Sequence, residues 1–244
     1  MSAVLELPKI ENLQTNLERA IVQALEERYH AVFYDVDYQT YADLVERFPE
    51  RRNPRLTFDR GVLEVMPLPQ HDISERLIDE IFTDIAFELE IDYVNYGSST
   101  QNRLQLERGF EPDSSFYIAE NAELMRYRNR FLETDPPPDL VFEIDVTHSS
   151  INKFALMASF GVREIWMYEK KRLRILRLEN GEYVESETSL VLPNVTSVIL
   201  NQFIETSKTK SRLEWRKEIR EWARHLSKRN EHRRKIFQPR RKLR

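Results

Sequence analysis

The stretch DLVFEIDVTHSSINKFALMASFGVREIWMY, residues 139–168, decides the fold. Leu140–Val146 reads as a buried strand, Lys153–Phe160 as a helix stopped by Gly161, and Ile165–Tyr168 as a further strand. Two acids interrupt the first apolar run. Glu143 and Asp145 lie two residues apart, so they share one face of the strand. Carboxylates among Val141, Phe142 and Ile144 are costly unless cations pair with them or they hold a metal ion. Ser149 or Ser150 is the natural N-cap for the helix that Lys153 begins.

Upstream, Glu111-Pro112-Asp113 leads into a strand at Asp113–Ile118, after strands at Tyr93–Tyr96 and Gln101–Leu106. Leu56–Phe58 and Val62–Met66 form a hairpin around Asp59-Arg60-Gly61. Residues 72–90 form a long helix with Ile78, Ile81, Phe82, Ile85 and Leu89 on its apolar face, and residues 10–28 an amphipathic one. A short helix covers Thr40–Arg47, with Thr40 as its cap, and a helical turn lies near Ala122–Tyr127. Downstream come strands at Leu173–Leu178, Tyr183–Val184 and Leu190–Leu192. Residues 211–236 read as a helix whose thin stripe of Leu213, Ile219, Trp222 and Leu226 predicts an exposed or partner-dependent element. This order predicts an α/β (α+β) domain with a mixed central sheet flanked by helices, with a helical segment at 1–37 and a basic helical tail at 206–244.

The 244 residues are 41% hydrophobic, enough for a sizeable core. No apolar run approaches the ~18 residues that a bilayer requires. The absence of cysteine excludes disulfides, thiolate zinc sites and a cysteine nucleophile. The start MSAVLELPKIENLQ lacks a basic segment leading into an apolar one, so a cytoplasmic protein is expected. The net charge of −4 hides an asymmetry. Residues 206–244 hold 16 Lys+Arg against 4 Asp+Glu, while the remainder holds 21 against 37. Such a tail seeks nucleic acid or another polyanion, folds onto its own acidic body, or is a solvated helix; composition leaves all three open.

Asp113, Glu143 and Asp145 converging at one strand edge would make a hard oxygen site suited to Mg or Mn. Lys153, ten residues after Glu143, is placed to hold a water or to stabilise charge on a phosphoryl transition state. The same residues also fit a buried ionic network that only holds strand to helix. Glu64 on the hairpin is a further candidate metal ligand, and His71 an accessory group, each against a plain structural role. Glu75 and Asp79, one turn apart, read as a solvated helix face, with a helix-borne acid near the site as the alternative. Nothing marks a nucleophilic serine, and Trp166 reads as core.

At these residues the sequence resembles the Uma-two-like family of restriction endonucleases, within the PD-(D/E)XK nuclease superfamily. The resemblance spans roughly residues 38–205 and rests on DRGVLEVMPLPQH (59–71), YGSST (96–100), ERGFEPDSSFYI (107–118), DPPPDLVFEIDVTHSS (135–150) and KFALMASFGVREIWMYE (153–169). It implies a mixed sheet flanked by helices and metal-dependent DNA cleavage, with Asp113 and Glu143 matching the two acidic elements. The superfamily lysine sits two residues after the second acid, where this chain has Asp145; Lys153 looks like its migrated replacement. The expected activity is a Mg- or Mn-dependent DNA endonuclease, with Arg216, Arg220, Arg224, Lys228, Arg233 and Arg234 holding the DNA backbone. The alternative is a nuclease-fold module without catalysis that binds nucleic acid or a protein through the basic helix. Cutting both strands would favour a homodimer.

Overall fold

The computed structural model describes residues 13–47, 54–67, 73–128, 132–144 and 149–237. In chain order the elements are α1 (Leu13–Glu27), β1 (Ala31–Phe33), α2 (Tyr38–Arg47), β2 (Arg55–Asp59), β3 (Val62–Met66), α3 (Ile73–Glu88), β4 (Tyr93–Asn95), β5 (Gln101–Arg103), β6 (Arg108–Phe110) and β7 (Ser114–Ile118). There follow α4 (Glu120–Met125), β8 (Leu140–Ile144), α5 (Lys153–Phe160), β9 (Glu164–Glu169), β10 (Arg172–Glu179), β11 (Glu182–Ser186), α6 (Ser197–Thr206) and α7 (Arg212–Phe237).

The strands form two sheets where one was expected. A mixed six-stranded sheet runs β11-β10-β9-β8-β7-β4, and a five-stranded antiparallel sheet runs β1-β3-β2-β6-β5. The β8–β9 pair is parallel, because α5 carries the chain back across the sheet between them. Gly161 closes α5 at φ 81°, as the sequence predicts. The β2–β3 hairpin turns on Arg60 and Gly61, both at positive φ.

Alternation along β8 sorts its neighbours. Leu140 and Phe142 enter a large cluster with Phe82 of α3, Phe116 of β7, Trp166 of β9 and Trp215 of α7. Val141 points the other way, into a second cluster with Leu156, Met157 and Phe160 of α5 and Phe110 of β6. Trp166 is fully buried and stacks on Phe142 at 5.2 Å. A third cluster joins α1, α2 and the antiparallel sheet through Ile21, Tyr41, Phe58 and Val65.

Several local expectations change. Thr40 lies inside α2, where its backbone N–H donates to the Asp37 carboxylate, so Asp37 caps the helix. Asn152, rather than Ser149 or Ser150, caps α5 by accepting from the Ala155 N–H. Leu190–Leu192 is not a strand; its backbone is held by Glu164 and Ser189 instead. The C-terminal helix is anchored rather than exposed, because Trp215, Ile219 and Ala223 are buried and Trp222 and Leu226 pack beside them. Leu213, counted in the expected stripe, is exposed.

Asp79 of α3, expected on a solvated face, is mostly buried beneath β4 and β7. Its Oδ2 accepts from Asn95, while among the described residues its buried Oδ1 has no hydrogen-bond partner. Burial pushes its carboxyl up to about 6, against hydrogen bonds from Ser114 and Asn95. A raised native pKa binds protons more tightly in the folded state. Its stabilising contribution is therefore full below the ordinary carboxylate range and is lost as pH rises through about 6. Asp79→Asn is expected to flatten the fall in unfolding free energy between pH 4 and 7, read by urea denaturation at each pH. An unchanged slope would contradict this.

Candidate active site

The site follows from register. β7 pairs with β8 as Ser114↔Phe142, and continuing that ladder by one residue sets Asp113 opposite Glu143. The Asp113 N–H donates to the Phe142 carbonyl at 3.2 Å, and the Ile144 N–H donates to Asp113 Oδ2 at 2.5 Å. Residues directly opposite share a face, here the one that Val141 presents to α5. The two carboxylates therefore converge, and both are buried: Asp113 is 7% exposed and Glu143 1%.

Like charges set opposite each other in a dry pocket need cations. Lys153, the first residue of α5, places Nζ 3.1 Å from Glu143 Oε2. Arg55, at the start of β2 in the other sheet, donates from a guanidinium NH to Asp113 Oδ1. Burial pushes the Glu143 carboxyl above the usual carboxylate range and Asp113 adds to the shift, while Lys153 and Arg55 oppose it. Burial works against the Arg55 charge, yet Asp113, Glu143 and Glu75 outweigh it and hold the guanidinium above its ordinary range. Two buried atoms in the cluster lack hydrogen-bond partners among the described residues: the acceptor Glu143 Oε1 and the donor Arg55 Nε.

A strut supports the Asp113 side. Glu111 accepts from the Leu56 N–H at 3.2 Å and from Thr100 Oγ1 at 2.8 Å, tying the approach to β7 to the antiparallel sheet. Glu64 does related work on β3. Its oxygens are engaged by His30 at 3.1 Å, by Ser149 Oγ at 2.5 Å and by the Ser150 N–H at 2.7 Å. Glu64 thus anchors the chain between β8 and α5 rather than joining Asp113 and Glu143. Asp145 and His71 lie outside the described residues.

Sequence reasoning missed Arg55, and of the two roles it left open for Glu64 the structure displays the structural one. The only available signal was a basic residue opening a strand, which by itself points nowhere.

The basic helix is docked. Arg216 grips Asp84 through two bonds of 2.7 and 2.8 Å, and Arg220 and Arg224 reach Glu88 at 2.6 and 2.7 Å. Arg212 pairs with Glu80. Each partner lies 132 or 136 positions earlier in the chain, so α7 runs parallel to α3. The charges of Arg216, Arg220 and Arg224 are thereby met within the chain. Lys228 lies beyond the ladder, and the side chains of Arg233 and Arg234 lie outside the described residues.

A hard divalent cation such as Mg²⁺ needs only one or two protein carboxylates, completing its shell with water and substrate phosphate. The Glu143 Oε1, without a hydrogen-bond partner among the described residues, and the Asp113 carboxylate opposite it in the ladder fit that demand. Among the described residues no group of three or more His, Cys, Asp or Glu side chains is arranged to hold a metal ion. No described helix is long and apolar enough to cross a membrane.

A protein-family model, Uma2, described as "Putative restriction endonuclease", matches residues 38–207. Among solved structures, one described as a putative nuclease belonging to DUF820 from Anabaena variabilis aligns with a TM-score of 0.47 and 18% identity, over 69% of this chain and 99% of that one. No curated protein matches the chain.

Removing one partner of a buried ion pair strands the other charge. Lys153→Met is expected to lower stability by about 3 kcal/mol, the low end for such a pair because Arg55 also faces Glu143. Glu143→Gln should recover much of that loss in the double variant. A loss below about 1 kcal/mol, typical of a surface pair, would contradict the buried pairing.

Proposed function

The chain belongs to the Uma2 family, and from that premise we propose that it is a metal-dependent DNA endonuclease. The mixed sheet flanked by helices is restriction-endonuclease-like, and a nuclease-type function follows from the family. What carries the finer proposal is the convergence of Asp113 and Glu143 on one sheet face, with the Lys153 amine 3.1 Å from Glu143.

Asp113 and Glu143, with Asp145 as a third candidate, would hold Mg²⁺ or Mn²⁺. Such an ion would polarise the scissile phosphate and acidify a water molecule. Glu143 holds the Lys153 amine in place. From there Lys153 can orient the attacking water or stabilise charge growing on the phosphoryl oxygens. Because the cluster is dry, these charges act at greater strength than they would in water. One such cluster is found among the described residues, so double-strand cleavage would call for a homodimer acting on DNA in the cytoplasm.

The basic helix would serve the same substrate at a distance. The charge of Glu75, in the first turn of α3, is felt at Arg55, so that end of the helix lies by the acid cluster. α7 runs parallel to α3 and continues past Arg224 to Phe237, about 20 Å further at 1.5 Å per residue. Lys228, Arg233 and Arg234 would then meet the DNA backbone away from the cut. Contacts of that kind add affinity without sequence preference.

A second proposal, a nuclease-fold module without catalysis, draws support from Arg55, which already occupies one oxygen of Asp113.

Purified protein with Mg²⁺ or Mn²⁺ is expected to nick supercoiled plasmid, and Glu143→Ala to abolish nicking while keeping its circular-dichroism spectrum. Equal nicking by both proteins would point to a contaminant, and none by either would favour the non-catalytic module. Replacing Lys228, Arg233 and Arg234 together by Glu should weaken duplex binding and flatten its dependence on salt. That triple variant should leave kcat within about twofold, a difference well under the 1.4 kcal/mol that tenfold represents. Unchanged affinity would remove the tail from DNA binding.

A further inference from the structure

Without a divalent ion each acid of the described pair already has a cation: Arg55 sits on Asp113 and Lys153 on Glu143. Both oxygens of Asp113 are already engaged, Oδ1 by Arg55 and Oδ2 by the Ile144 N–H, and Arg55 is only 5% exposed. A divalent ion that takes Asp113 as a ligand therefore competes with a resident cation for a buried carboxylate.

The two cations are held differently. Lys153 lies on Glu143, at the head of a helix whose remaining turns are packed in the core. Arg55 enters from the second sheet and bonds Asp113 through one guanidinium nitrogen, while its Nε, buried as it is, has no hydrogen-bond partner among the described residues. A guanidinium carries five donors in a fixed fork and is normally used at more than one of them. Arg55 also feels the charge of Glu75, an anion outside the acid pair.

We propose that Arg55 is a built-in counter-ion that holds the metal's place: it neutralises Asp113 while the site is empty of metal, and a divalent cation binds by displacing it. Arg55 is thus a positioning residue that sets metal affinity. It keeps the two carboxylates converged during folding, when no ion is present to do so. This inference rests on the metal-dependent reading above.

The test is Mn²⁺ binding by calorimetry, with thermal melts in EDTA and in Mn²⁺, on the full-length wild type, Arg55→Met and Arg55→Lys. Arg55→Met should melt lower in EDTA and recover in Mn²⁺ by more than the wild type gains. It should also bind Mn²⁺ at least about tenfold tighter, because no charge-assisted hydrogen bond has to be broken. Arg55→Lys keeps the charge and should bind Mn²⁺ within about threefold of wild type, a difference below 1 kcal/mol. Equal or weaker binding by Arg55→Met than by wild type would overturn the inference while leaving the metal reading intact. Absence of Mn²⁺ binding in all three proteins would overturn both.

Should Arg55→Met fail to fold, arginine side-chain NMR of the wild type answers the same question. The Arg55 Nε–H signal, assigned by its loss in Arg55→Lys, should shift on saturation with Mg²⁺. An unmoved signal at saturation would overturn the displacement.

Discussion

Asp113 and Glu143 repel each other, and much of the site's architecture answers that repulsion. The β7–β8 ladder sets them directly across from one another, an arrangement that disfavours like charges even at a surface. Inside the protein the penalty grows, since neither carboxylate can borrow water to spread its charge. Relief comes from two directions. Lys153 arrives at the head of α5 from one side, and Arg55 from the antiparallel sheet on the other. A repulsive pair therefore has four elements around it, β7, β8, α5 and, from the other sheet, β2.

The apolar core makes this arrangement possible. Leu140 and Phe142 commit one face of β8 to the aromatic stack with Phe82 and Trp166, which leaves Val141 and Glu143 no choice but the α5 side. A shift of one residue in register would exchange those faces and bury the carboxylate among aromatic rings. Trp215 and Ile219 extend the same cluster to α7, so the arginine ladder to Asp84 and Glu88 decorates a docking that apolar burial already holds. The carboxylates of these pairs are nearly buried, at 4% and 9% exposure, while their arginines stay partly exposed. The ladder matches the parallel run of α7 along α3, which carries its basic end past α3 and away from the acid cluster.

The parts legible from sequence were those whose signal is local. Glu143 stood out because an acid within the mostly apolar stretch Leu140–Val146 is anomalous, and α5 because Lys153–Phe160 ends on a glycine in the left-handed conformation. The third side of the cluster was hidden. Arg55 meets Asp113 across 58 residues, and nothing in a lone arginine names its partner. Ser149 and Ser150 looked like helix caps because hydroxyls near a helix start usually are; the buried carboxylate of Glu64 claimed them instead. β1 and β6 have three residues each, too short for alternation to register, and their pairing is what splits the strands into two sheets. The depth of α7 escaped notice because Trp215 falls between charged residues and its burial depends on Phe203 of α6, to whose carbonyl the indole N–H donates at 2.7 Å.

The central claim is that Asp113 and Glu143 share one pocket able to take a divalent cation in place of Arg55. Anomalous diffraction from crystals soaked in Mn²⁺ tests it most directly. The account predicts a manganese peak at the Asp113 and Glu143 carboxylates, with the Arg55 guanidinium moved off Asp113. Density showing the two acids on opposite faces of the sheet, or manganese elsewhere with Arg55 still seated on Asp113, would contradict it.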